Sequence, residues 1–170
     1  DGNTALAKKL FEEGMKEEKW TENSFPEIFI TINASADHEE LARLVRDQWE
    51  NLFNISVSIE SLEWKTYLEK LSKGDYQVGR FGWIASFDDA MNFLELFKYK
   101  TSINNHTFWE DRSFVELLNQ ASFETNWTHR EKVLMKAEES LVKQMLLVPL
   151  YYYTNAYLKK EKLQDVYVSS

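Results

Sequence analysis

Cysteine is absent from these 170 residues, which excludes disulfides and thiolate metal sites and is compatible with the cytoplasm or a bacterial extracytoplasmic space. Clustered positive charge is missing too. The formal net charge is -8, and the scattered Lys and Arg argue against nucleic acid or an anionic membrane surface as partner, since both demand grouped basic side chains. No run approaches the roughly 18 uninterrupted apolar residues of a spanning helix. Asp1-Gly2-Asn3 lacks a basic-then-apolar export signal, which reads as a removed signal or an excised piece. Proline and glycine are scarce, at two and five residues, and the chain shows no internal repeat or low-complexity tract.

What is present is a core-forming composition. With 44% hydrophobic and 15% aromatic residues, the chain can bury one substantial core and is expected to form one compact domain. Leu6, Leu10 and Phe11 predict an amphipathic helix over 4–15, capped by Asn3 or Thr4 and ending near Gly14. Glu27 to Ile32 reads as a strand after Pro26 through its β-branched and aromatic density. Asp37 and Glu40 have capping-box spacing ahead of a Leu41, Leu44, Val45, Gln48, Leu52 stripe, a helix to about Phe53.

Alternation in Ile55 to Glu60 predicts a second strand, and Tyr67, Leu68 and Leu71 mark a helix over 64–71. The third strand is expected over 76–83. A strand-helix-strand-helix-strand order calls for an α/β layer with parallel crossovers, because a helix must carry the chain back over the sheet. A short helix over 89–97, a long loop over 98–111, helices over 113–123 and 128–145, the latter opened by Thr128 with Glu131, and a β-rich run from Leu150 to Leu158 complete the expectation.

The stretch from Lys73 to Asp89 is the most informative. Gly79 and Gly82 flank Arg80, removing side chains where a backbone or ligand must come close, while the guanidinium offers a fixed fork of donors suited to a carboxylate. Catalytic patterns are weak by comparison. Neighbouring acids at Glu39-Glu40 and Asp88-Asp89 do not converge on one bond and read as solvated or capping groups. His38-Glu39-Glu40 would need a second histidine where Ala42 stands, so no zinc-protease helix follows. His106 and His129 lack ligand-spaced companions, and no nucleophile elbow, Walker loop or dinucleotide fingerprint occurs. Sequons at Asn54, Asn105 and Asn126 carry meaning only in a eukaryotic secretory setting.

Six tryptophans and eight tyrosines remain, most of them suited to the core, as Trp49 on its helix stripe. For Trp83 and Tyr153 the residues alone leave core packing and cleft lining both open.

The helix ending at Gly14, the segment from His38 to Phe53, Glu63-Trp64-Lys65-Thr66-Tyr67-Leu68, the Gly82-Trp83-Ile84-Ala85 turn and Val148-Pro149-Leu150-Tyr151-Tyr152-Tyr153-Thr154-Asn155-Ala156 together resemble the oligopeptide-binding protein family of bacterial ABC importers. The resemblance runs from about Thr4 to Val168. It implies an α/β fold with a mixed sheet and flanking helices, one lobe of a bilobed type II periplasmic-binding-protein-like fold, with residues 148–170 as a returning segment and an N-terminal lobe missing. It also implies an oligopeptide ligand, ABC permease subunits as partners, a periplasmic or outer-face location, and neither catalysis nor a cofactor or metal.

The resemblance further implies that the edge formed by Arg80, Gly82, Trp83, Ile84 and Ser86 pairs with the ligand main chain, a mode in which backbone hydrogen bonds give affinity without reading sequence. Trp64 and Tyr153 then line side-chain pockets, and His38 and Arg80 approach the ligand's carboxylate. The chain departs from the family pattern Gly-Trp-x-Ala-Asp at Ser86, where a carboxylate would hold the peptide's free α-amino group in a charge-assisted contact generally worth about 1.5–3 kcal/mol. Phe87, Asp88, Asp89 and Ala90 also depart from Tyr-x-x-Pro. Asp88 taking over from a shifted position, a ligand without a free amine there, another solute altogether, and an interaction domain without a small ligand are the alternatives. Alone, such a lobe is expected to bind peptides with about millimolar or weaker affinity, since half of the enclosing surface is absent.

Overall fold

The computed structural model describes residues 2–154 together with Leu158, Lys160 and Lys162. Three parallel strands, β1 (Ile28–Asn33), β2 (Val57–Leu62) and β3 (Val78–Gly79), lie in the order β2-β1-β3. The crossovers are α2 (Ala36–Phe53) and α3 (Trp64–Lys73), with α1 (Thr4–Glu17) ahead of the sheet. This is the α/β arrangement that the alternating periodicities call for, with strands that are parallel throughout the described residues where the resemblance implies a mixed sheet. The central strand is the most buried, Ile30, Thr31 and Ile32 being nearly inaccessible, as a strand with a neighbour on each side must be.

Past the sheet, a short helix α4 (Met91–Leu94), a 3₁₀ turn (Glu95–Phe97), α5 (Arg112–Phe123) and α6 (Trp127–Lys143) follow. Two hydrophobic clusters result. One joins Ile30, Ile32, Ala42 and Val57 between the sheet and α2, and the other joins Met91, Leu94, Phe114, Leu118, Leu134 and Leu141 among α4, α5 and α6.

Several helix boundaries differ from expectation, each for a local reason. Helix α1 runs through Gly14 to Glu17, because Gly14 keeps helical backbone and its carbonyl accepts from the Glu18 amide at 3.0 Å. Helix α2 opens at Ser35, so Asp37 lies inside the first turn beside Glu39, where negative charge suits the helix dipole better than a capping box would require. Helix α6 is capped by Asn126, whose Oδ1 accepts from the His129 amide at 3.0 Å, and not by Thr128. Glu63 caps α3, its Oε2 accepting from the amides of Lys65 at 2.8 Å and Thr66 at 3.4 Å, which gives the Glu-Trp-Lys-Thr stretch a physical meaning.

The β-rich run expected from Leu150 contains no strand over 150–154, and Asn155 to Tyr157 lie outside the described residues. Most of the expected returning segment, 148–170, is likewise outside them. The asparagines of the sequons named above are structural: Asn54 is the left-handed cap of α2, Asn126 caps α6, and Asn105 is buried, bonding the carbonyls of Tyr99 and Trp109 at 3.0 and 2.9 Å.

Candidate functional site

Parallel strands end on one side of a sheet, and ligands of open α/β sheets bind outside those carboxyl ends. Strand β1 ends at Asn33 and His38 follows within the first turn of α2; β2 ends at Leu62 and Trp64 opens α3; β3 ends at Gly79 and Arg80 follows directly. Three of the expected site residues therefore share one margin, in the spatial order Trp64, His38, Arg80 set by the strand order. Trp64 is 54% exposed, with its ring 6.0 Å from that of Tyr67. The Nδ1 of His38 is buried and has no hydrogen-bond partner among the described residues.

The third strand is shorter than its pattern. It pairs with β1 only at Ile30↔Val78 and Thr31↔Gly79, and the last ladder bond runs from the Arg80 amide to the Thr31 carbonyl at 3.1 Å. The Arg80 carbonyl accepts instead from the hydroxyl of Tyr67, a fully buried side chain of α3. That contact takes the carbonyl out of the ladder and turns the chain away from β1. Burial pushes the Tyr67 phenol up to about 12, against the opposing pull of the Arg80 guanidinium.

From Phe81 to Ala85 no backbone N–H or C=O makes a hydrogen bond among the described residues. Such a row of unpaired groups is a template for strand addition. Its two sides differ. On one, Arg80 donates through Nη2 to the hydroxyl of Tyr153 and lies 5.9 Å from that ring's centre. A methyl at Gly82 would meet the Tyr153 Oη at 2.9 Å and both Arg80 amino nitrogens at 3.4 Å, so a side chain there would have to push the ends of this roof aside. Gly79 has another task, since a methyl there would strike Leu71 Cδ2 at 2.9 Å and the Tyr76 ring at 3.1 Å. It serves core packing, not ligand approach.

On the other side Phe81 stacks on Trp83 at 6.4 Å and meets the His106 ring edge-on at 5.0 Å. Burial holds the His106 imidazole below its ordinary pKa, which favours the neutral ring. Trp83 is half-buried, with its indole N–H bonded to Asn92 Oδ1 at 2.9 Å, while Ile84 is 76% exposed and Ser86 is exposed. Trp83 thus has a hydrogen-bonded edge and stays partly accessible. Asp89 is a structural acid: Arg130 grips it at 2.7 and 3.0 Å, and that side-chain bond holds its carboxyl below the ordinary range against the effect of burial. Asp88 stands exposed beside it.

Tyr67, Phe81 and Asn92 are not among the site residues expected from the sequence. Tyr67 reads there as one more apolar position on a helix stripe, and only the fold brings its hydroxyl to Arg80. Among the described residues no group of His, Asp and Glu is placed to hold a metal ion, and no helix is long and apolar enough to cross a membrane.

The profile of bacterial extracellular solute-binding proteins, family 5 Middle, matches residues 1–105. The chain belongs to this family. Among its relatives, the oligopeptide-binding protein OppA of Bacillus subtilis is 38% identical over 167 residues, covering 98% of this chain and 31% of that protein. The probable deoxycholate-binding periplasmic protein YgiS of Escherichia coli is 34% identical over 115 residues, covering 68% of this chain and 21% of that protein. Among solved structures, Haemophilus influenzae OppA in complex with the peptide RPPGFSPFR superposes with a TM-score of 0.79 at 28% identity, covering 88% of this chain and 29% of that one. This family 5 chain therefore spans between 21% and 31% of the length of these relatives.

Proposed function

We propose that this chain is one ligand-binding lobe of an extracytoplasmic receptor that captures oligopeptides for an ABC importer. The observation that carries the reading is the backbone of Phe81 to Ala85 at the carboxyl margin of the sheet, unpaired among the described residues. A peptide strand laid along it satisfies groups that otherwise require water, and that contact is indifferent to side chains. Arg80, roofed by Tyr153 across Gly82, supplies donors for a ligand carboxylate, with His38 on the same margin. Trp64, Trp83, Ile84 and Tyr153 line space for ligand side chains, and Ser86 marks the end of the edge. Binding, with no chemistry, is the task that this arrangement suits. The rest of the cleft belongs to a second lobe, the receptor works with permease subunits, and it resides in the periplasm or on the outer face of the cytoplasmic membrane.

Titration calorimetry of the full-length protein with mixed tri- to pentapeptides tests this. Micromolar binding supports it, and no heat with any peptide sinks it. A second reading, the same receptor turned to another solute, draws support from Ser86, a neutral hydroxyl where an amine-holding carboxylate is expected, and from the similarity to a relative named as a probable deoxycholate-binding protein. Competition between peptides and deoxycholate in the same calorimeter separates the two.

A further inference from the structure

We propose that Asn92 is a positioning residue for the binding edge, fixing the Trp83 ring and ending the free backbone at Ser86 through a single side-chain oxygen. The proposal rests on the peptide-capture reading. Asn92 Oδ1 accepts from the Trp83 indole at 2.9 Å and from the Ser86 amide at 3.4 Å. Both partners are donors only, so the group that faces them must be the carbonyl oxygen and not the amide nitrogen. Without that acceptor the half-buried indole N–H is left unsatisfied, which disfavours the orientation that keeps Trp83 stacked on Phe81.

Asn92 is itself held. Its backbone N–H donates to the Asp89 backbone carbonyl at 3.0 Å, and the Asp89 carboxylate takes Arg130 and the Met91 backbone amide, the latter at 2.8 Å. Arg130 Nε in turn donates to the carbonyl of Ala121, a fully buried residue of α5. A continuous set of polar contacts therefore links the helical cluster to the wall of the site. Because the Ser86 amide is committed to Asn92, the unpaired run closes after Ala85, and a paired ligand strand is offered five residues of edge.

The test uses the full-length protein with penta-alanine and Ala-Ala-Tyr-Ala-Ala as probes. Asn92→Ala weakens binding about tenfold, the effect of losing one neutral hydrogen bond. Asn92→Asp, which keeps the acceptor and the shape, stays within about threefold of wild type, and this variant also controls for folding. In a Trp83→Phe background, which lacks the indole donor, Asn92→Ala costs no more than about threefold. The indole resonance missing from Trp83→Phe spectra moves upfield in Asn92→Ala and stays in place in Asn92→Asp. Unchanged binding by Asn92→Ala, an equal loss in both backgrounds, or an unmoved indole resonance overturns the proposal. Should the wild-type protein bind neither probe, the mixed-peptide titration decides the peptide reading, and the indole resonance alone decides for or against the positioning role.

Discussion

Tyr67→Phe removes one oxygen atom, and its cost depends on pH in a way that can be worked out in advance. The hydroxyl donates to the Arg80 carbonyl from a side chain that is 1% exposed. Its loss leaves that carbonyl without its partner, so the variant is expected to be less stable by about 1–2 kcal/mol at pH 7, or roughly 3–6 °C in thermal midpoint. Burial pushes the phenol pKa up to about 12 in the folded chain from about 10 unfolded. A raised pKa means that this stability is fully present below pH 10 and is lost as pH rises through about 12, by an amount on the order of 2–3 kcal/mol. The disadvantage of Tyr67→Phe should therefore shrink above pH 10 and reach zero or change sign near pH 12. Tyr76, also raised by burial, is present in both proteins and cancels from the difference. Urea unfolding of the two proteins between pH 7 and 12 measures this directly. A stability gap that stays constant across the range would refute the buried, hydrogen-bonded phenol.

Asp89→Asn leaves Arg130 without its carboxylate, and with both side chains under a fifth exposed the loss is expected to be about 2 kcal/mol, below the range for fully buried pairs. Since the Asp89 pKa is depressed, its contribution is present above the ordinary carboxylate value of about 3.8 and fades as pH falls through the lower folded value. Denaturation at pH 7 and pH 3 should show the gap narrowing in acid, and a gap that widens there contradicts the assignment. Ser86→Asp should raise the preference of the full-length receptor for a free-amine peptide over its N-acetylated counterpart by about tenfold. Calorimetry on the matched pair checks it, and an unchanged ratio shows that the ligand amine does not lie near this position.

Elements with a clean period were legible in the sequence, and boundaries set by distant contacts were not. The alternation at Ile55 to Glu60 and the stripe through Leu41, Leu44, Val45 and Leu52 led to β2 and α2, because burial on one face imposes those periods. The expected strand over 76–83 shrank to Val78–Gly79. Nothing local announces that a tyrosine of α3 captures the Arg80 carbonyl. Asp37 and Glu40 have capping-box spacing without forming the box, whereas Glu63, whose carboxylate caps α3, has no such spacing.

The site was legible in its parts. Arg80 between two glycines stands at the carboxyl margin of the sheet, and the glycines divide their work, Gly79 meeting Leu71 and Tyr76 while Gly82 meets Tyr153. The contact of Arg80 with Tyr153 spans 73 residues, and a separation of that size leaves no trace in spacing. Asn92 was invisible for a similar reason, since its partners sit in irregular backbone with no period to read.

Amide hydrogen exchange of the full-length protein, with and without a mixed pentapeptide pool, bears most directly on the binding edge. The account predicts that the amides of the 81–85 stretch exchange fast in the free protein and become protected when peptide binds, with little change in β1, the central strand that is already paired on both sides at Ile30 and Thr31. Peptide binding that leaves 81–85 as fast as before would contradict the central claim that this backbone pairs with the ligand.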